Sequence, residues 1–164
     1  MTGFTVRHLH ISISKQVLTA YENKAVAFVF SISSALNGTG CEQGSGKTPL
    51  GAHYIRAKIG QGEPVNSVFV GRRTTGEVYS AALASQFPNR DWILSRIMWL
   101  CGTELGVNRL GSVDSMARYI YIHGTPDSEP MGVAKSHGCI RMRNEDVIML
   151  FDWVPKGCPV MIEE

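Results

Sequence analysis

Apolar and polar residues alternate from Leu9: Leu9, Ile11 and Ile13 oppose His10, Ser12 and Ser14, the pattern of a strand with one buried face. Val17 to Tyr21 is a second apolar run, Glu22-Asn23-Lys24 reads as a turn, and Ala25 to Ile32 is rich in β-branched and aromatic residues. Together they predict a β-meander. A Gly/Ser/Asn-rich loop, Ser33 to Lys47, leads into a Thr48-Pro49-Leu50-Gly51 turn and a strand at about Ala52 to Ile59. Val68 to Arg72 and Val78 to Ser80, flanking Thr74-Thr75-Gly76-Glu77, predict a hairpin.

Asp91 to Cys101 carries Ile93, Ile97 and Leu100 at helical spacing with Gly102 as a stop, so a helix is expected there. Gly102 to Asp114 is long enough to be a functional loop. Within it Asn108 to Asp114 is a candidate lid, with a packed surface loop as the default. Ala117 to His123 alternates strictly, which puts His123 at a strand end on the face away from Ile120 and Ile122. Asn144 can cap a helix carrying Val147, Leu150, Phe151 and Val154, stopped by Pro155 and Gly157. Pro159 to Ile162 is a last short strand. No repeat or low-complexity linker divides the chain. The expectation is one domain over residues 1–164, mainly β, a sandwich or partial barrel with two added helices.

Composition narrows the function. At 164 residues the chain can bury a core without metal or disulfide staples. A formal charge of +2 gives no electrostatic footprint for nucleic acid or anionic lipid, so no polyanion partner is expected. No stretch has the length of a membrane-spanning helix, and the N-terminus lacks the pattern of a secretory signal. The chain is therefore expected in the cytoplasm if it is full length, and in the periplasm or cell envelope if an export segment has been removed. Oligomeric state leaves no mark in the sequence. Cys41, Cys101, Cys139 and Cys158 are scattered, without the spacing of a disulfide framework or a Cys-x-x-Cys pair.

The densest chemistry lies at His123-Gly124-Thr125 and, after ten intervening residues, Ser136-His137-Gly138-Cys139-Ile140-Arg141. A thiol becomes a nucleophile by losing its proton, and an imidazole promotes this by accepting it. Gly138 leaves the backbone N–H groups around Cys139 free to face a developing oxyanion. The competing interpretation, a buried structural cysteine with satisfied histidines, is the usual fate of either residue alone. Two other patterns fail. Gly44-Ser45-Gly46-Lys47-Thr48 suggests a phosphate loop, but Cys41 stands where the first glycine belongs, and Pro49 and a following strand replace the required helix. A zinc site from His123, His137 and Cys139, with or without His53, has the wrong spacing and no Cys pair, so neither metal nor cofactor is expected. Cys41, Cys101 and Cys158 have no base nearby in sequence. Trp92, Trp99 and Trp153 are placed on the expected helices as core or interface groups. His8, His10 and His53 receive no role.

Four separated motifs in order resemble the L,D-transpeptidase catalytic domain (YkuD) family over nearly the whole chain. They are a strand bearing Ser14-Lys15-Gln16, then Lys47-Thr48-Pro49-Leu50-Gly51, Tyr121-Ile122-His123-Gly124-Thr125, and Ser136-His137-Gly138-Cys139-Ile140-Arg141-Met142. The resemblance implies that Cys139 is the nucleophile, that His123 is its base, and that the Gly124 carbonyl orients that histidine. His137 and Gly138 match the motif's neighbours of the nucleophile, and the N–H groups of Gly138 and Cys139 are the implied oxyanion donors. Ser136 braces the loop. Arg141 either meets a substrate carboxylate or forms a structural ion pair on the following helix.

The implied activity is two-step acyl transfer on peptidoglycan stem peptides or soluble muropeptides, and such enzymes are carbapenem targets. The Cys139 thiolate attacks the carbonyl joining the third stem residue, typically a diamino acid, to a terminal D-Ala. Water as acceptor makes an L,D-carboxypeptidase that trims tetrapeptide to tripeptide, the outcome favoured by the missing signal. An amine acceptor makes a cross-linking L,D-transpeptidase. A catalytically silent peptidoglycan-binding module is the third possibility, disfavoured by the intact Cys139 and His123.

Overall fold

A computed structural model describes residues 3–164. Its first strands follow the apolar alternation: β1 (Arg7–Ser12), β2 (Val17–Glu22) and β3 (Ala25–Ser31) form the expected antiparallel meander. Leu9, Ile11, Leu18, Ala20 and Phe30 point into the core. Ser14-Lys15-Gln16 lies in the turn between β1 and β2 rather than on a strand. From that turn the buried Gln16 amide donates to Ser34 Oγ at 2.7 Å and accepts from the Ser34 N–H at 2.9 Å.

The sheet continues with β4 (Gly51–Ile59), β5 (Ser67–Val70), β6 (Arg73–Val78), β7 (Ile93–Gly102), β8 (Tyr121–Thr125), β9 (Ile140–Arg143) and β10 (Pro159–Glu163). The main path runs β3-β2-β1-β10-β4-β7-β5-β6, while β8 pairs with β7 and, in parallel, with β9. The sheet curls into a half-barrel until Ser33, just beyond β3, exchanges backbone hydrogen bonds with Arg141 of β9 at 2.9 Å each. α2 (Asn144–Trp153) plugs the barrel, burying Val147, Leu150 and Phe151 against β7, β8 and β9. It ends before Pro155 and Gly157, as its sequence requires.

The expected helix at Asp91 to Cys101 is instead β7, a central strand with neighbours on both edges. Its register against β8 jumps from Leu94↔Gly124 to Ile97↔His123, so Ser95 and Arg96 form a bulge, with Ser95 at φ 71°. Ile93 and Ile97 therefore line one face, and Leu94 and Met98 are both buried, at intervals of four that imitate a helix. Burial on both faces removes the alternation that would have identified a strand. Trp99 and Cys101 consequently lie on a strand and Trp92 just before it; of the three tryptophans only Trp153 is helical.

The second helix is α1 (Ala81–Gln86), capped by Ser80, whose Oγ accepts the Leu83 N–H. The hairpin turns at Gly71-Arg72, both at positive φ as in a type I′ turn, and not at Thr74 to Glu77. The strand expected from Ala117 starts only at Tyr121, because residues 115–119 form turns and Tyr119 takes a φ of 57°. Asn144 does not cap α2. It opens the helix, with Arg143 in the cap position, and its side chain serves the site described below.

Replacing Phe151 by Ala removes the largest side chain under β7 and is expected to cost about 3–5 kcal/mol in chemical denaturation. Met149→Ala on the solvent side of the same helix should stay within about 0.5 kcal/mol.

Candidate active site

β8 alternates between the core and the opposite face. Ile122 enters the core, while His123 stands on the other side, opposite Ile97 of β7 and Arg141 of β9. His123 is buried, and its Nδ1 lies 2.6 Å from the Gly124 carbonyl. A carbonyl only accepts, so Nδ1 carries the proton and Nε2 keeps its lone pair. Burial lowers the pKa of His123, with Asp91 pulling it up and Arg141 pushing it further down. The ring is therefore neutral at neutral pH and able to take a proton.

Gly124 is held by a close approach. A Cβ there would lie 2.5 Å from the Leu94 carbonyl oxygen and 2.5 Å from Asn144 Oδ1. Asn144 is buried behind it: Oδ1 accepts from Ser95 Oγ at 2.6 Å, and Nδ2 donates to the Thr125 carbonyl at 2.9 Å and to Asn66 Oδ1 at 3.0 Å. The β7 bulge supplies Ser95, so the central strand and the first residue of α2 meet directly beneath the His123-Gly124 peptide.

Cys139 sits at the end of the Ser136–Cys139 loop, just before β9. Ser136 Oγ donates to the Cys139 carbonyl at 2.6 Å and accepts from the Gly138 N–H at 3.2 Å. Buried Thr48 donates through Oγ1 to the Gly138 carbonyl at 2.9 Å and accepts from the Ala35 N–H at 2.9 Å. Gly138 has a φ of 137°, backbone that favours glycine, while a Cβ would find only ordinary contacts at 3.4 Å or more. Of the two N–H groups offered as oxyanion donors, that of Gly138 is engaged with Ser136.

The Cys139 sulfur is half-buried against a small cluster of Phe69, Ile97, Tyr121 and Trp99. It accepts from the Tyr121 N–H at 3.3 Å and donates to the Tyr119 carbonyl at 3.4 Å, rather than bonding the His123 ring. Burial pushes the thiol up to about 11, against the pull of the Tyr121 N–H, Arg141 and Arg118. Thiol and imidazole are thus each neutral at rest, and both lie within the field of Asp91 and Arg141.

A cleft of about 340 Å³ opens over Cys139, bounded by Gly138, His137, Ile120, Arg118 and the glycine loop at Gln43, Gly44 and Gly46. Arg118 ties that loop down, donating to the carbonyls of Lys47 at 2.7 Å and Gly40 at 3.2 Å. Exposed His137 places Nδ1 3.4 Å from Asp91, whose other oxygen meets Arg141 at 3.3 Å. Arg141 also lies 3.7 Å from Glu129 and donates to the Lys135 carbonyl. Arg141 stands on β9, so its ion pairs cross between loops and are not made on a helix.

The Asn108 to Asp114 segment is wired down as a packed loop. Asn108 is fully buried and bonds Leu50 and Ala52 carbonyls, and Asp114 accepts from Leu110 and Ala117. His53 lies elsewhere, buried between Ser115 Oγ and the Gly51 carbonyl. Among the described residues no three His, Cys, Asp or Glu side chains converge as a metal site. The sequence pattern assigns no site role to Asp91, Arg118 or Thr48, and marks Asn144 only as a helix cap. Only Thr48 lay within a motif singled out there.

The family model of the L,D-transpeptidase catalytic domain (YkuD) matches residues 6–162. The "Probable L,D-transpeptidase YbiS" of Escherichia coli (strain K12) is 47% identical over 45 residues, 27% of this chain and 15% of that protein. The "Probable L,D-transpeptidase ErfK/SrfK" of Salmonella typhimurium is 47% identical over 47 residues, 29% of this chain and 15% of that protein. In fold, the chain resembles L,D-transpeptidase 3 from Mycobacterium tuberculosis in complex with a faropenem-derived adduct. The TM-score is 0.60 at 18% identity, covering 98% of this chain and 61% of that one. The matches thus span only part of each relative's length.

Because the free thiol is held near 11, alkylation of Cys139 by iodoacetamide should keep accelerating as pH rises through 9 and 10. An ordinary thiol levels off above about 8.5. Peptide mapping by mass spectrometry separates Cys139 from Cys41, and a plateau near 8.5 would contradict the buried, protonated thiol.

Proposed function

The chain belongs to the L,D-transpeptidase catalytic domain family, and on that premise we propose that it is a cysteine acyltransferase acting on peptidoglycan stem peptides. The observation that carries this reading is the pairing of β8 with β9. It sets His123, with Nδ1 fixed on the Gly124 carbonyl, on the face where Cys139 opens into the cleft. Nothing in a passive binding module calls for a histidine in that tautomer on the same face as a thiol.

In the proposed reaction Cys139 Sγ attacks the carbonyl carbon before a terminal D-Ala as its proton passes to His123 Nε2. The oxyanion so formed faces the backbone of the Ser136–Cys139 loop, where the Cys139 N–H is the candidate donor. Collapse breaks the C–N bond, the imidazolium proton goes to the departing D-Ala amine, and a thioester remains on Cys139. An acceptor then regenerates the thiol. Water is proposed first, because thioester formation and hydrolysis need only the one cleft, whereas cross-linking needs room for a second stem. The compartment follows the acceptor: trimming suits soluble muropeptides in the cytoplasm, and cross-linking suits the wall outside the membrane.

Incubation with a disaccharide tetrapeptide, with and without excess acceptor stem, tests this by mass spectrometry of the products. Tripeptide plus D-Ala in both mixtures is the expected outcome, and a cross-linked dimer would replace hydrolysis by transpeptidation. Cys139→Ala should abolish turnover and Cys101→Ala should retain it; activity surviving the first change would sink the mechanism. With neutral His123 as base, kcat/KM should fall on the acid side of the profile, with its limb below about 6.5.

A further inference from the structure

We infer that a recess between β4, β7 and the loop before β10 binds an acidic saccharide, with the sugar ring on Tyr54 and Trp99 and its carboxylate or phosphate between Arg56 and Lys156. The recess has a volume of about 570 Å³, within the range of small-ligand pockets. Tyr54, Arg56, Ala57, Trp99 and Lys156 line it, among others. It shares no lining residue with the Cys139 cleft, so it is a separate site.

A bulge in β4 builds its floor. The register against β7 shifts from Ile55↔Leu100 to Ala57↔Trp99, which leaves Arg56 without a partner of its own. Ile55 enters the core, and Arg56 and Ala57 then both turn to the face that carries Trp99. Lys58, next along the strand, goes the other way, with its ammonium over the Phe151 ring of α2. The loop that carries Lys156 is tied to the same bulge: the Gly157 N–H donates to the Ile55 carbonyl at 2.8 Å, and the Ile55 N–H donates to the Cys158 carbonyl at 3.0 Å. Two cations from segments a hundred residues apart are thus held at one opening.

Nothing in the protein balances them. No Asp or Glu lines the recess, and among the described residues neither Arg56 nor Lys156 forms an ion pair. Both side chains are exposed and able to meet an anion, the guanidinium by two parallel hydrogen bonds. The wall beside them is aromatic. Arg72 covers one face of the Trp99 ring at 4.7 Å, and the Trp99 indole N–H is spent on the Met116 carbonyl, so Trp99 offers the recess an apolar surface. Half-buried Tyr54 can add a hydroxyl, which a sugar can use and a plain apolar ring cannot. An anion joined to a hydroxyl-bearing ring answers all three features together.

Amide chemical shifts of the isotope-labelled protein, followed by NMR at low ionic strength, test this with glucose, glucose 6-phosphate, glucuronic acid and inorganic phosphate as probes. The acidic sugars should move the amides of Tyr54 to Ala57, Lys156 and Gly157, and bind about five- to tenfold more tightly than glucose. Glucose 6-phosphate should also exceed inorganic phosphate, which reads the cations alone, by about threefold or more. Gain by only one of the two acids sustains the site and names its acid group. The double change Arg56→Gln with Lys156→Gln, at two exposed positions, should bring the acidic sugars down to glucose, and Tyr54→Ala should bring glucose 6-phosphate down to inorganic phosphate. The site is overturned if those amides do not move, if neither acid exceeds glucose, if inorganic phosphate binds as well as its sugar ester, or if the acidic preference survives the double change. No cleavage is measured, so the result stands whether or not the acyl-transfer reading holds.

Discussion

The 2.6 Å hydrogen bond from His123 Nδ1 to the Gly124 carbonyl is the contact on which the site depends, because it decides which ring nitrogen is left to accept a proton. A carbonyl does this without charge, and so without the strong upward pull that a carboxylate partner would exert on the imidazole. It must instead be held in place sterically. β7 passes so close to Gly124 that no side chain fits there, and Asn144, anchored by Ser95, Thr125 and Asn66, closes the space behind. The left-handed bulge at Ser95 belongs to the same device, since it turns the Ser95 hydroxyl toward Asn144.

Cys139 is positioned on the opposite principle, by a loop that spends its own polar groups internally. Ser136 gives and receives a hydrogen bond along the Gly138-Cys139 backbone, and Thr48 gives one to Gly138 while accepting from Ala35, so two hydroxyls fix a turn that glycine makes accessible. The sulfur itself rests in apolar surroundings that favour the thiol over the thiolate. With the thiol protonated and the His123 ring neutral, neither group buries a charge at rest. Arg118 and Arg141 act the other way, drawing the thiol down against that burial.

Electrostatics and topology also join at Asp91. It precedes the central strand β7, touches Arg141 and His137, and acts at a distance on both His123 and Cys139. One carboxylate thus links His137 at the wall of the cleft to Arg141 on β9 and bears on both Cys139 and His123.

The sequence by itself determined the meander, the second helix up to Pro155 and the family motifs around His123 and Cys139, because alternation, helical spacing and short motifs are local properties. The face of His123 was legible for the same reason: Ile120 and Ile122 mark the core side of the chain there. Tertiary structure alone decided that Asp91 to Cys101 enters the sheet, since a strand covered on both faces and interrupted by a bulge carries no period of its own. It alone turned Asn144 from an expected cap into the support of Gly124, and recruited Arg118, Thr48 and Asp91. Each of these acts through partners 13 to 90 residues away, and spacing along a chain holds no record of such contacts until the sheet curls and brings them together.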